Sequence, residues 1–374
     1  MDAIENLLSW AQTQGITVNK VGPRAIPGRG IGIVATAPLK KDEAILEVPI
    51  SCLKTLATIP KPLARPFPKD TAVHALLALD IALDTSPSFK TWSAVFPSPR
   101  DLSSCPLTWT GPVLPTLLPP PALALLTSQR EKFLSHWSLI SPSFPDLDYD
   151  SYLHAWLLVN SRTFYHVTPK TKSRPKEDHM ALQPVADLLN HAPRGCNVAF
   201  DARSFTIKTD RPYTEGEEMH ICYGRHSNDF LLVEYGFLMP SPENDWDEVG
   251  LDDAILPRLG PAHKRRLEDR GFLGKYVLDA ETVCYRTQVA LRTLVLPTRR
   301  WAQFVDGFTD GEAEQAEVDA MLCEILAAYD EEIASKIDLV SRLDEGQEFQ
   351  REMVLDRWRQ IQQLVRSTIQ KLKK

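Results

Sequence analysis

No stretch of this chain approaches the roughly 18 to 20 consecutive apolar residues that a membrane-spanning helix requires, so no transmembrane span is expected. Nor is positive charge in surplus: 49 Asp and Glu outnumber 42 Lys and Arg, for a formal net charge of -7. Nucleic acid is thereby excluded as the main partner, because phosphate binding needs a clustered basic surface, and a basic partner fits better than an acidic one. The six cysteines, at positions 52, 105, 196, 222, 284 and 323, form no CxxC and no paired spacing. That absence argues against a disulfide framework or zinc site and for free thiols in a reducing compartment, the cytosol or nucleus. The start, MDAIENLLSWAQTQG, lacks the apolar core of a secretory signal. It reads instead as an amphipathic helix with Ile4, Leu7, Leu8 and Ala11 on one face.

What is there suits a soluble globular protein. At 374 residues the chain has room for two or three domains and for a core that needs no stapling. Residues 16–50 are rich in Val, Ile, Gly and Pro and predict short strands. TAVHALLALDIALD, residues 71–84, returns to helical spacing. Prolines crowd the stretch from Phe96 to Pro145, which predicts loops and short helices, with a helical patch at ALALLTSQREKFLSHW. SYLHAWLLVNSRTFYH, residues 151–166, predicts a helix, and the charged KTKSRPKED after it an exposed loop. From 182 to 240 the text is strand-like with repeated turn residues, and beyond Asp245 it becomes helical. In the final segment Val354, Trp358, Ile361, Val365 and Leu372 share one stripe and predict a bundle core.

The chemistry concentrates in DLLNHAPRGCN, Asp187 to Asn197. Three readings compete. A metal site would use Asp187, His191 and Cys196, but no second cluster with ligand spacing accompanies them. A nucleophile pair would join Cys196 or Cys222 to His191 or His220, although free cysteines more often serve as small buried hydrophobes. The third reading is a loop whose backbone does the binding. A further motif, GRGIG at residues 28–32, spells the glycine pattern of dinucleotide-binding folds. Its flanks, RAIP before and IVATAPL after, predict strand-turn-strand rather than the strand-turn-helix which that chemistry needs.

In chain order the pieces are GRGIGIVATAPLKKDEAILEVP, then NSRTF at 160–164, then PVADLLNH at 184–191, then GEEMHICYGRHSNDFLLVEYGF at 216–237. This series resembles the SET-domain lysine methyltransferases, in the branch that looks like plant Rubisco large-subunit methyltransferase. The resemblance spans nearly the whole chain. It implies an α+β fold: a β-rich SET domain with a pseudoknot, interrupted by a helical insert and followed by an all-α C-terminal domain. The corresponding boundaries are 1–75 for the N-terminal helix and first part of the SET domain, 76–155 for the insert, 156–240 for the second part of the SET domain, and 245–374 for a substrate-binding-like helical domain.

The resemblance also implies S-adenosylmethionine as cofactor and a protein substrate presenting a lysine. Arg29, Gly30 and Ile31 match the segment that contacts the cofactor largely through backbone, and Arg162 the arginine that helps hold it. Asn190 and His191 match the pair that binds its amino-acid and adenine portions, with Asp187 acting in the same loop. Tyr223 matches the tyrosine at the methyl-transfer centre, while Tyr235 and Phe237 match aromatic residues of the cofactor pocket and lysine channel. No metal is implied, and Cys196 is a bystander.

The expected partner is a basic or ribosome- or translation-associated protein, met by a monomer in the cytoplasm or nucleus, with neither nucleic acid nor membrane involved. Two alternatives stand beside this one: a histidine-directed protein methyltransferase, and a catalytically silent SET-fold interaction module. The chain departs from the plant enzyme in showing no transit segment, and from many histone-directed relatives in having no Cys-rich segment after the SET core. The acidic runs at 243–253 and 310–319 are read either as solvated faces or as attractors of a lysine-rich substrate.

Overall fold

β-Branched and apolar residues alternating with turn formers set up the sheets of the first half, as the computed structural model of the chain shows; it describes residues 3–373. Met1, Asp2 and Lys374, at the ends of the first and last expected segments, lie outside the described residues. The strands, in chain order, are β1 Thr17–Val18, β2 Val21–Ile26, β3 Gly30–Ala35, β4 Ala44–Pro49, β5 Thr163–Tyr165, β6 Met180–Leu182, β7 Asn190–His191, β8 Asn197–Phe200, β9 Ser204–Lys208, β10 Glu218–Ile221, β11 Glu248–Gly250 and β12 Val277–Asp279. The chain divides into two compact units. The first comprises residues 1–108, 127–225 and 234–236; the second comprises 109–126, 226–233 and 237–374.

Two four-stranded sheets, ordered β1-β4-β9-β8 and β2-β3-β10-β7, form the β part of the first unit, with β5 and β6 paired separately. GRGIG lies at the β2–β3 hairpin, where Ile26 faces Gly30 and Val21 faces Ala35. The strand-turn-strand expectation therefore holds and the dinucleotide reading falls. β10 runs antiparallel to β3 but parallel to β7, pairing His220 with Asn190 and Ile221 with His191. The loop after β7 then folds over β10. Cys196 N donates to His220 O at 2.7 Å, and a Cβ on Gly195 would sit 2.3 Å from that same oxygen, so only glycine passes there.

Helices complete this unit. Ala3–Thr13 buries Leu7 and Ala11, while Ile4 and Leu8 are partly buried. Val73–Leu83 is buried on all sides from Val73 to Ile81, as a helix through the middle of a core must be. It packs on Tyr149–Arg162, where Tyr152 Oη donates to Ala75 O at 3.2 Å and His74 Nε2 meets Trp156 O at 2.9 Å.

The helical patch expected at ALALLTSQREKFLSHW is the 21-residue helix Pro120–Ile140, which starts on prolines because a first turn loses only N–H groups that have no intrahelical partner. Two elements differ from the sequence reading. The helix beginning at Tyr149 stops at Arg162 and Thr163 turns into β5, so the SRTF segment straddles a helix end and a strand. SNDFLLVEY, read as strand-like, contains the helix Asn228–Tyr235; its apolar run is buried and carries no usable two-residue alternation.

The second unit is helical apart from the antiparallel pair β11–β12. Its two long helices, Gln315–Ser341 and Glu348–Leu372, pack along each other. Val354, Trp358, Ile361 and Val365 of the expected stripe are buried. The same helix brings in the fully buried Arg357, which donates to both Asp229 oxygens at 2.8 and 3.0 Å and to Asp247 at 2.7 Å. Asp247 and Asp252 of the first acidic run are thus engaged internally, Asp252 accepting from Lys275 N and Tyr276 N.

Candidate active site

The parallel pairing of β7 with β10 sets the ends of the two strands side by side, and residues just before β7 and just after β10 line a cavity of about 320 Å³. Its walls include Arg162, Thr163, Phe164, Tyr165, Asp187, Leu189, Val198, Phe200, Phe205, Ile221, Cys222, Tyr223 and Tyr235. Aromatic rings dominate. Tyr223 and Tyr235 lie with ring centroids 5.1 Å apart, and His191 packs on Tyr223 at 5.0 Å. Phe200, Phe205 and His166 form a second group at 5.2 to 5.3 Å. Tyr165 and Phe200 stay 55% and 47% exposed, unusual for large rings, and so make the mouth apolar.

Tyr223 is fixed at both ends. Its hydroxyl donates to Leu189 O at 2.7 Å and its backbone N–H donates to His191 Nδ1 at 3.0 Å. That second bond makes Nδ1 an acceptor, so a neutral His191 carries its proton on Nε2. Burial pushes the Tyr223 phenol up to about 12, with Arg162 opposing and Asp187 and Glu218 adding to the rise. Tyr235 is raised too, chiefly by burial. Both phenols are therefore neutral at physiological pH and act as dipoles.

Arg162 Nη1 donates to the carbonyl of Asp187 at 2.5 Å. The Asp187 carboxylate turns elsewhere, accepting from the Trp92 indole N–H at 3.1 Å. Burial raises its pKa to about 6, against the pull of Arg162 and of Trp92. Among the described residues, Arg162 Nε and Asp187 Oδ1 are buried without a hydrogen-bond partner.

Asn190, next along β7, donates through Nδ2 to Glu218 Oε1 at 2.8 Å. Glu218 also meets Arg29 at 3.2 Å, and Arg29 Nη1 lies 3.4 Å from His220 Nε2. Burial depresses the His220 pKa, with Glu218 opposing. Gly32 makes this cluster feasible, since a Cβ there would come within 2.7 Å of Glu218 Oε1 and 2.9 Å of Asn190 Nδ2. A guanidinium, a carboxylate and an amide within contact of one another form the donor set that the amino-acid end of S-adenosylmethionine calls for. The residues present fit that group. Leu189 and Ile221, which line the cavity, are the sequence neighbours of Asn190 and His220.

The structure thus gathers Arg162, Asp187, Tyr223 and Tyr235 around one cavity, with Asn190 and His191 on β7 and Arg29 in the β2–β3 turn; Gly30 and Ile31 open β3. Phe237 belongs to the second unit, where its N–H bonds Leu231 O. Cys196 is buried, its thiol pushed up by burial and facing the Tyr213 hydroxyl at 3.9 Å. Sequence reasoning missed Glu218, Trp92 and the aromatic mouth, and named His220 only as a base for a cysteine nucleophile. The alternation in GEEMHI could have marked Glu218 and His220 as one face of a strand.

A family model described as the SET domain matches residues 30–224, more than half of the chain. The chain belongs to the SET-domain family. A second model, the ribosomal lysine N-methyltransferase 2 C-terminal domain, matches residues 247–371 of this SET protein. It is 27% identical over 341 residues to ribosomal lysine N-methyltransferase set11 of Schizosaccharomyces pombe, covering 86% of each chain. It is 28% identical to SET domain-containing protein 4 of Mus musculus, over 91% of this chain and 84% of the relative. The fold is that of the crystal structure of the SET domain of LSMT bound to lysine and AdoHcy, with a TM-score of 0.68 at 16% identity over 100% of this chain and 92% of that one.

Proposed function

We propose that this SET-domain protein is an S-adenosylmethionine-dependent protein-lysine N-methyltransferase acting on a non-histone protein, with a ribosomal protein as the favoured substrate. The observation that carries the reading is Tyr223. Its ring packs against both His191 and Tyr235, and its hydroxyl is anchored on Leu189 O, the residue before Asn190 of the Arg29, Asn190 and Glu218 cluster. The ribosomal assignment is supported by the relatives' names and by the match of residues 247–371.

Arg29, Gly30, Ile31, Asn190 and His191 hold the cofactor, with Arg162 bracing their loop through the main-chain carbonyl of Asp187. The cofactor, when bound, supplies a methyl group on a sulfonium whose charge also disfavours a neighbouring ammonium. The chain must accept the lysine as a neutral amine, which at about pH 7 costs roughly 4.6 kcal/mol from a reference pKa near 10.4. Removal from water into an aromatic cavity works in that direction, because desolvation disfavours the ammonium. Tyr165 and Phe200 take up the lysine's flanks, and Tyr223 and Tyr235 align its stem for in-line attack. A strong general base is unnecessary. Residues 1–75 and 156–240 serve as the two parts of the SET domain, 76–155 as its insert and 245–374 as a substrate-docking domain, and the setting is cytoplasmic or nuclear.

The test is incubation of the purified protein and its Tyr223→Phe variant with tritiated S-adenosylmethionine and either whole extract or salt-washed ribosomes. A band labelled by the wild type alone, with label in methyl-lysine after hydrolysis, is the expected result. Label in methyl-histidine would replace lysine as target, and cofactor binding without any label would favour the silent module.

A further inference from the structure

The chain segment Asp187–His191 holds nearly every group of the site. The carbonyl of Asp187 accepts from Arg162, the carbonyl of Leu189 accepts from the Tyr223 hydroxyl, the amide of Asn190 meets Glu218, and the ring of His191 accepts from the Tyr223 backbone. At its far end Asn190 and His191 are paired with β10, so its geometry is set by what holds the near end. Ala186–Leu188 forms a single tight turn entered through Val185, a β-branched residue held at φ 66°, where side chains of that shape are strained. Beside the Arg162 bond to the Asp187 carbonyl, this end is tied by the Asp187 carboxylate on the Trp92 indole, 3.1 Å long and buried on both sides. Trp92 is itself immobilised. Its helix, Pro87–Ser93, is capped by Ser86 on Phe89 N, and its ring packs edge-on against Phe89 and Phe96 at 6.0 and 5.5 Å.

We propose that Trp92 and Asp187 form a positioning latch: the indole N–H, presented by the insert, fixes the carboxylate and through it the main chain that aligns Asn190, His191, Arg162 and Tyr223. The proposal rests on the methyltransferase reading above. It assigns no chemistry to the carboxylate, which neither touches the reacting atoms nor exchanges a proton with them. The side chain acts through the backbone it anchors. A buried carboxylate with one oxygen unpartnered is costly, and burial raises its pKa accordingly. Such a group is kept where its single contact defines a geometry, much as buried polar residues fix register elsewhere. The groups that bear on it are Arg162 and Trp92, which favour its charge, and the phenol of Tyr223, whose own rise it reinforces.

The test compares Trp92→Phe, Asp187→Ala, their combination, and Asp187→Asn in the full chain. Each is titrated with S-adenosylhomocysteine by calorimetry and melted in parallel, and turnover is measured on the band labelled in extract. Trp92→Phe removes the donor and keeps an aromatic ring of smaller size, and the parallel melts report the lost packing separately. Asp187→Asn keeps an acceptor for the indole and removes only the charge.

The latch predicts that Trp92→Phe and Asp187→Ala each weaken S-adenosylhomocysteine binding roughly fivefold or more, since preorganisation is lost. They should lower kcat with substrate KM unchanged. The double variant should be no worse than either single, because the two changes break one contact. Asp187→Asn should restore affinity to within about twofold of wild type. Lower melting temperatures with unaltered affinity and kcat would overturn the latch and leave a purely structural contact. Failure of Asp187→Asn to rescue would overturn it as well, by tracing the effect to charge. Absence of binding by the wild type would instead overturn the methyltransferase reading, and the inference with it.

Discussion

Replacing Asp187 by Asn should stabilise the protein at neutral pH and do nothing for it in acid. The carboxylate is buried and accepts from the Trp92 N–H, and burial raises its pKa from 3.8 to about 6. Between those values the folded chain binds more protons than the unfolded one, so this group's contribution to stability falls as pH rises. The penalty grows from near pH 4 and is fully present above the folded pKa. At roughly 1.36 kcal/mol per unit it amounts to about 3 kcal/mol near pH 8. A neutral amide carries no such penalty but accepts the indole hydrogen bond less strongly, by about 1 kcal/mol. The net expectation is that Asp187→Asn raises the free energy of unfolding by about 2 kcal/mol near pH 8 and by less than about 0.5 kcal/mol near pH 4. Urea titrations followed by tryptophan fluorescence at the two pH values measure the difference. A variant effect independent of pH would refute the reasoning, because it would mean that Asp187 titrates alike in both states.

Tyr223→Phe keeps the ring stack and loses only the hydroxyl bond to Leu189; turnover should fall by about two orders of magnitude while S-adenosylhomocysteine affinity stays within about twofold. Asn190→Ala removes the amide that meets Glu218, and calorimetry should show cofactor binding weakened by roughly tenfold. In the second unit, Arg357→Leu leaves Asp229 buried without its guanidinium and should cost about 3 to 5 kcal/mol in unfolding experiments. Phe200→Ser removes an exposed ring from the cavity mouth; substrate KM should rise several-fold with melting temperature unchanged, since the side chain is already half in solvent.

The legible parts of this molecule were those written locally. GRGIG with its flanks defines the β2–β3 hairpin, the VHALLALDIAL run defines a buried helix, and the Val354 to Val365 stripe defines a packed face. DLLNH and the tyrosine at 223 named the site because their order along the chain matched a known series. Trp92 and Glu218 could not be found that way. Trp92 lies 95 residues from the carboxylate it holds, and Glu218 lies 28 residues from Asn190. Both partnerships come from chain crossings that no local pattern encodes. The helix Asn228–Tyr235 was misread for a different reason: FLLV is apolar on every side, so its period is invisible and only its packing decides its form.

The parallel join between β7 and β10 also governs how the protein comes into being. Asn190 finds its neighbour His220 only after thirty further residues have been made, and β10 in turn needs β3, laid down near the N-terminus. During vectorial synthesis no prefix of the chain that ends before Ile221 can contain the cradle, however well its helices have formed. Contacts this distant along the sequence close late and slowly. A ribosome that stalls before Glu218 therefore releases a product that lacks the cradle outright, rather than one with a weakened copy of it.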